Sequence, residues 1–171
     1  MNASWVIGID IGGTNFRIGA VDEKNRVSHF RKVPVGSVFC TADAMEDLGG
    51  YLEDYIRELA AEGIQSGAAA IGFPATLNRE RTMVLQAPNV PFMENLPVAK
   101  ALSARLGFPV RIERDVTMAR LHDRARYGLE ECEILAGCYF GTGIGNALMI
   151  GGQMVRGKNG TAGELGHIPV D

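Results

Sequence analysis

Apolar and polar positions alternate through the first stretch, "WVIGIDIGGTNFRIGAVDEKNRVSHFRKVPV", and the alternation breaks at Gly12–Thr14 and at Asp22–Asn25. A period of two on either side of each break predicts strand, glycine turn, strand, polar turn, strand: a three-strand meander. The period then lengthens. Met45, Leu48, Leu52, Tyr55, Ile56 and Leu59 recur at helical spacing, Asp43 and Glu46 form a capping-box pattern, and Gly63 can stop the helix. Gly49 and Gly50 weaken that helix locally.

"GAAAIGF", bounded by Gly67 and Pro74, predicts a short buried strand, and "ATLNRERTMVLQAPNVPF" a loop containing a short hairpin. A helix is expected from Asn95, with Val98, Ala99, Leu102 and Leu106 on one face and Gly107 as terminator. "FPVRIERD" is another strand and "VTMARLHDRARYG" a helix stopped by Gly128. From Glu133, "EILAGCYFGTGIGNALMIGGQMVRG" returns to strand, Gly-Thr turn, strand, Gly-Gly turn, strand. This echo of the opening, about 130 residues later, is too widely spaced for a solenoid and suits two duplicated lobes. The expected organisation is a lobe over residues 1–118 and the start of a second over 119–171, apparently truncated.

With 171 residues, 46% hydrophobic and 22% charged, the chain suits one soluble domain, or one lobe plus part of another. Seventeen Lys and Arg against 20 Asp and Glu, with no basic run, leave no excess positive charge for phosphate backbones, so nucleic acid is not expected as a partner. No apolar run approaches the roughly 18 residues of a membrane span and no basic region precedes Trp5, so no membrane is expected and the cytoplasm is the default location. Cys40, Cys132 and Cys138 show no C-x-x-C spacing and are expected as buried thiols.

The glycine turns carry the first candidate chemistry. Backbone N–H groups can approach a polyphosphate where no Cβ intervenes, and Gly12, Gly13 and Thr14 fit this, as do Gly141, Thr142, Gly143 and Gly145. A tight hairpin is the plainer reading of either turn alone. Gly141–Gly145 is not G-x-G-x-x-G and leads to a strand, which disfavours a Rossmann site; "GQMVRGKN" lacks the Ser or Thr of a P-loop. Asp10, at the end of a buried strand, costs several kcal/mol unless paired or bound to a cation. Holding hydrated Mg²⁺ beside a phosphate and capping the turn amides are the two readings left open.

Asp115 lies where a strand meets a helix, as helix cap or as a base toward a substrate hydroxyl. Arg114 could lower its pKa or contact substrate. Glu164 and His167, three apart in "GELGH", are solvated loop residues or a clamp for sugar hydroxyls.

In order, "GIDIGGTNFRIGAV", "GFPA", "APNVP", "ERDV", "GTGIG" and "AGELGHIPV" resemble the ROK family of repressors and sugar kinases, within the actin-like ATPase superfamily, along essentially the whole chain. The resemblance implies an α/β, ribonuclease H-like (actin-like ATPase) lobe, its mixed sheet flanked by helices, and the beginning of a second similar lobe. It implies ATP- and Mg²⁺-dependent phosphorylation of a hexose hydroxyl, usually at C6. Asp115 is then the base, Asp10 the Mg²⁺ carboxylate, and Gly12, Gly13, Thr14 and Asn15 with Gly141, Thr142, Gly143, Ile144 and Gly145 the ATP-phosphate loops. Asn89, Arg114, Asp115, Glu164 and His167 are implied sugar contacts. "ERDV" and "GHIPV" are more similar to allose kinases than to glucokinases or fructokinases, which implies D-allose as the preferred sugar. The family commonly has Asn where Arg114 stands. Structural Zn²⁺ through His167 is implied only where a downstream cysteine cluster exists. A homodimer, and a catalytically silent or truncated sugar-binding or regulatory member, stay open as alternatives; with four residues before Trp5, a DNA-binding segment is not expected.

Overall fold

The opening alternation forms β1 (Trp5–Ile11), β2 (Asn15–Val21) and β3 (Val27–Pro34), paired antiparallel in chain order. These and the elements below belong to a computed structural model that describes residues 5–141 and 143–169. Ile7, Ile9 and Ile11 of β1 and Phe16, Ile18 and Ala20 of β2 are buried on one face, as a period of two requires. The polar turn is built by Asp22, whose Oδ1 accepts the Lys24 and Arg26 N–H groups at 2.9 and 2.8 Å, with Asn25 at φ 58°.

Between Ile18 and Ala20 the β2–β3 register shifts, leaving one more residue on β3 than on β2. His29 takes φ 52° within this bulge, and its carbonyl accepts the Tyr55 hydroxyl at 2.9 Å. Gly19 faces the bulge because a Cβ there would lie 2.8 Å from Val27 Cγ1.

Helix α1 (Ala44–Ala61) starts at the expected acid: Asp43 Oδ1 accepts the N–H groups of Met45 and Glu46 at 3.1 and 3.0 Å. Only half the capping box forms, because the Glu46 carboxylate binds Arg105 Nη1 and Nη2 at 2.8 and 3.0 Å. Leu48, Leu52, Tyr55 and Leu59 are buried with the sheet residues, and each fully buried side chain of this size contributes about 1.5–3 kcal/mol. Gly63, at φ 79°, follows the helix end.

Strand β4 (Ser66–Phe73) runs parallel to β1. Beyond it, β5 (Thr76–Leu77) and β6 (Val84–Gln86) make the short hairpin. Helix α2 (Val98–Leu106) begins later than the expected Asn95, because residues 95 and 96 bond to Val84: Asn95 N–H donates to its carbonyl at 2.8 Å and Leu96 C=O accepts its N–H at 3.2 Å. Pro97 at the N-cap further disfavours helix before it. Strand β7 (Val110–Arg114) completes a five-stranded sheet of order β3-β2-β1-β4-β7, mixed in direction.

The chain divides into two compact units after Glu113, which groups the whole of α3 (Asp115–Arg126) with the later strands where a boundary at 118 would cut it. In the second unit β8 (Ile134–Phe140), β9 (Ile144–Ile150) and β10 (Gln153–Met154) form an antiparallel sheet that repeats the opening meander, with Gly151 and Gly152 at positive φ in the second turn. Leu135, Ala147 and Met149 are buried, whereas Ile134, Phe140, Ile144 and Ile150 are exposed on the other face. The expectation of buried thiols is corrected: Cys40, Cys132 and Cys138 are all exposed. Among the described residues no helix is long and apolar enough to cross a membrane.

Candidate functional site

The first glycine turn joins β1 to β2 within the first unit. Gly12 N–H donates to Asn15 C=O at 2.9 Å, closing the hairpin, and Thr14 C=O accepts Val35 N–H at 2.9 Å. Gly13 is bare for a reason the sequence does not disclose: a Cβ there would lie 2.8 Å from the carbonyl oxygen of Asn89. The first glycine turn therefore rests directly on the segment carrying Asn89. That segment is held in place by Glu94, whose Oε1 accepts Ala87 N–H at 2.8 Å, and by a Val90 N–H to Ala87 C=O bond of 2.8 Å.

Asp10 stands on the face of β1 opposite the buried isoleucines and is not a buried carboxylate in need of a cation. Its side chain is 42% exposed, and Arg17, directly opposite on β2, reaches its Oδ2 at 2.5 Å. Such a half-exposed pair contributes about 0.2–1 kcal/mol. Capping of the turn is supplied by the backbone of Asn15. Mg²⁺ beside nucleotide phosphates asks little of a protein, one or two carboxylates with waters and phosphate oxygens completing its shell. A lone, accessible carboxylate next to a glycine turn fits that donor set, with Arg17 as the competitor the cation would meet.

The second glycine turn joins β8 to β9 within the second unit. Gly141 N–H donates to Gly143 C=O at 2.9 Å; Thr142 lies outside the described residues. A Cβ added at Gly141 or Gly143 would meet nothing within 4 Å, so neither glycine is required by packing and both leave open approach. Gly145 differs, since its Cβ would collide with Val116 Cγ1 at 2.3 Å, seating β9 on the first turn of α3.

That first turn carries Asp115. Arg114, not Asp115, occupies the N-cap position; Asp115 is the first helical residue and its Oδ1 accepts Val116 N–H at 2.8 Å. The unpaired amides and dipole of a helix N-terminus favour a carboxylate here. Arg114 is 8% exposed, and its guanidinium donates to Ala162 C=O at 3.0 Å and pairs with Glu164 Oε1 at 2.5 Å.

The segment holding Glu164 also presses on β9. A Cβ on Gly163, at φ 86°, would lie 2.8 Å from Asn146 O, and one on Gly166 would lie 2.5 Å from Ile144 O. Arg114, Asp115, Glu164 and Ile144–Gly145 are thus gathered within the second unit, as Gly12–Asn15 and Asn89 are within the first. The side chain of His167 lies outside the described residues. Among the described residues no three His, Cys, Asp or Glu side chains stand together as a metal group.

Arg17 escapes a reading by motif, since it becomes Asp10's partner only through hairpin register. Asn146, a polar side chain buried in β9, donates Nδ2 to Gly137 C=O at 2.8 Å and so ties β9 to β8.

A mixed sheet that begins with a hairpin closed by a glycine turn, followed by a second unit in which helix α3 leads into a similar meander, is an α/β architecture of the actin-like ATPase class. The ROK family model matches residues 6–171, and the chain belongs to the ROK family. A glucokinase of Thermotoga maritima is 30% identical over 172 residues, covering 97% of this chain and 51% of its own. An N-acetyl-D-glucosamine kinase of Vibrio vulnificus is 32% identical over 169 residues, covering 96% and 53%. The crystal structure of a ROK family glucokinase from Streptomyces griseus, in complex with glucose and AMPPNP, matches with a TM-score of 0.79 at 30% identity, over 98% of this chain and 51% of that one. The chain spans about half the length of the curated relatives it matches.

Proposed function

We infer that this chain is the nucleotide- and sugar-facing part of an ATP-dependent hexose kinase, with Asp115 as general base. The observation that carries the reading is the position of Asp115: a carboxylate at the junction of β7 and α3, in the unit that also presents the open glycine turn at 141–143 and the Glu164 loop. In this role the Asp115 carboxylate accepts the proton of a sugar hydroxyl while that oxygen attacks the γ-phosphorus and the bond to ADP breaks. In this reading each glycine turn offers a Cβ-free backbone to phosphate oxygens, and Asn89, Glu164 and His167 are the candidate contacts for sugar hydroxyls. Bound Mg²⁺ supplies neutralisation of the phosphate charge; Asp10 is the residue to hold it.

Relatives are named for glucose and N-acetyl-D-glucosamine. The D-allose preference rests on the likeness of "ERDV" and "GHIPV" to allose kinases, Arg114 in place of the usual Asn counts against glucose, and the 6-OH rests on the family's usual position, so a panel of the three sugars decides among them. In the natural full-length protein, Asp115→Asn should lower kcat by about 100-fold or more in a coupled ADP assay, with hexose binding retained by calorimetry. Turnover at the parental rate would overturn the assignment of the base.

A further inference from the structure

We propose that Arg114 is a positioning residue for the acceptor sugar: it sets the carboxylate of Glu164 and fixes the loop that carries it. The proposal rests on the hexose-kinase reading above and adds a residue that acts on the sugar through another.

The guanidinium is nine-tenths buried and makes two contacts with one short segment, to Ala162 C=O at 3.0 Å and to Glu164 Oε1 at 2.5 Å. Its planar fork engages a carboxylate and a carbonyl at once, a geometry that an ammonium or a carboxamide does not reproduce. The same segment is wedged from its other side. Gly163 and Gly166 approach the carbonyls of Asn146 and Ile144 so closely that a Cβ on either would need the backbone to shift. Residues 162–166 are therefore held between the end of β7 and the start of β9, and Glu164 points from a clamped loop.

A carboxylate held in one place by a guanidinium presents a fixed acceptor, so it selects for hydroxyls that donate to it. Preorganisation lowers the ordering cost of sugar binding and leaves the phosphoryl-transfer step at Asp115 largely untouched. Loss of Arg114 should then appear in KM for the hexose rather than in kcat or in KM for ATP.

The test is steady-state kinetics of the natural full-length protein with Arg114→Asn, Arg114→Lys, Glu164→Gln and the Arg114→Asn/Glu164→Gln pair. Arg114→Asn should raise the hexose KM by about 10-fold or more, with ATP KM and kcat within about threefold. Arg114→Lys should recover part of the loss. With Glu164 already neutralised, Arg114→Asn should add less than about twofold. Hydrogen exchange of residues 157–167 in the sugar-free protein should quicken in Arg114→Asn. A hexose KM unchanged in Arg114→Asn, a loss confined to kcat, or full additivity of the pair overturns the proposal. Should Arg114→Asn not fold, the Arg114→Lys and Glu164→Gln kinetics carry the same test: no change in hexose KM in either overturns it. An unmutated protein that phosphorylates no hexose defeats the kinase reading instead, which separates the two failures.

Discussion

A methyl group placed on Gly13 would sit 2.8 Å from the Asn89 carbonyl oxygen, whereas one placed on Gly143 would meet nothing within 4 Å. The two glycines of matching turns therefore make different predictions. Gly13→Ala should cost about 1–3 kcal/mol in a urea titration, since backbone on both sides has to yield. Gly143→Ala should leave stability within about 0.5 kcal/mol and, where the turn receives nucleotide phosphates, raise KM for ATP by about 10-fold. The composition of these turns is plain in the sequence; the reason for each glycine is not, because Asn89 and Gly13 are 76 positions apart and meet only in the fold. Asp10 teaches the same lesson: its place at a strand end was legible, but its pairing with Arg17 followed from register across the hairpin.

At the level of elements, α1 crosses Arg105 of α2 at the point where it has no side chain. A Cβ on Gly49 would lie 2.4 Å from Arg105 Nη1, while one on Gly50 would be unopposed. Gly50→Ala should stabilise by about 0.5–1 kcal/mol through helix propensity. Gly49→Ala should gain less, because displacing Arg105 weakens its pairs with Glu46 and Glu53; paired thermal melts check the difference. Both glycines read in sequence simply as weak points of a helix.

In the second unit Tyr139 of β8 donates to Asp123 of α3 at 2.8 Å, and burial, then the Asp123 carboxylate, push its phenol from 10.0 up to about 12. Both states keep the proton below pH 10; above it the unfolded chain ionises first, so this contribution to stability is lost as pH rises from about 10 to about 12. Tyr139→Phe should flatten that part of the alkaline stability profile, measured by urea titration at each pH. Helix and strand existence followed periodicity closely here, while the start of α2 was misplaced because residues 95 and 96 are held by Val84 rather than by a helical turn.

Across the whole molecule, the repeated meander was legible because both copies keep the same order of apolar strand, glycine turn and apolar strand. What periodicity could not show is which faces are covered. Ile134, Phe140, Ile144 and Ile150 lie exposed on one face of the β8–β9 hairpin. Such a face drives association, so the 171-residue chain produced alone should bind a hydrophobic dye and scatter light as more than a monomer. Phe140→Lys should reduce both signals, and a clean monomer without dye binding would count against the expectation.

The bulge in β3 bears on a different hazard. β3 is the outermost strand of the five-stranded sheet, with a row of backbone groups that another extended chain could zip onto. His29 in the left-handed region breaks that row midway, and Arg31 and Lys32 follow it with charge. Deleting the extra residue should restore an unbroken pairing edge and make the chain more prone to aggregate, a consequence independent of any part in binding nucleotide or sugar.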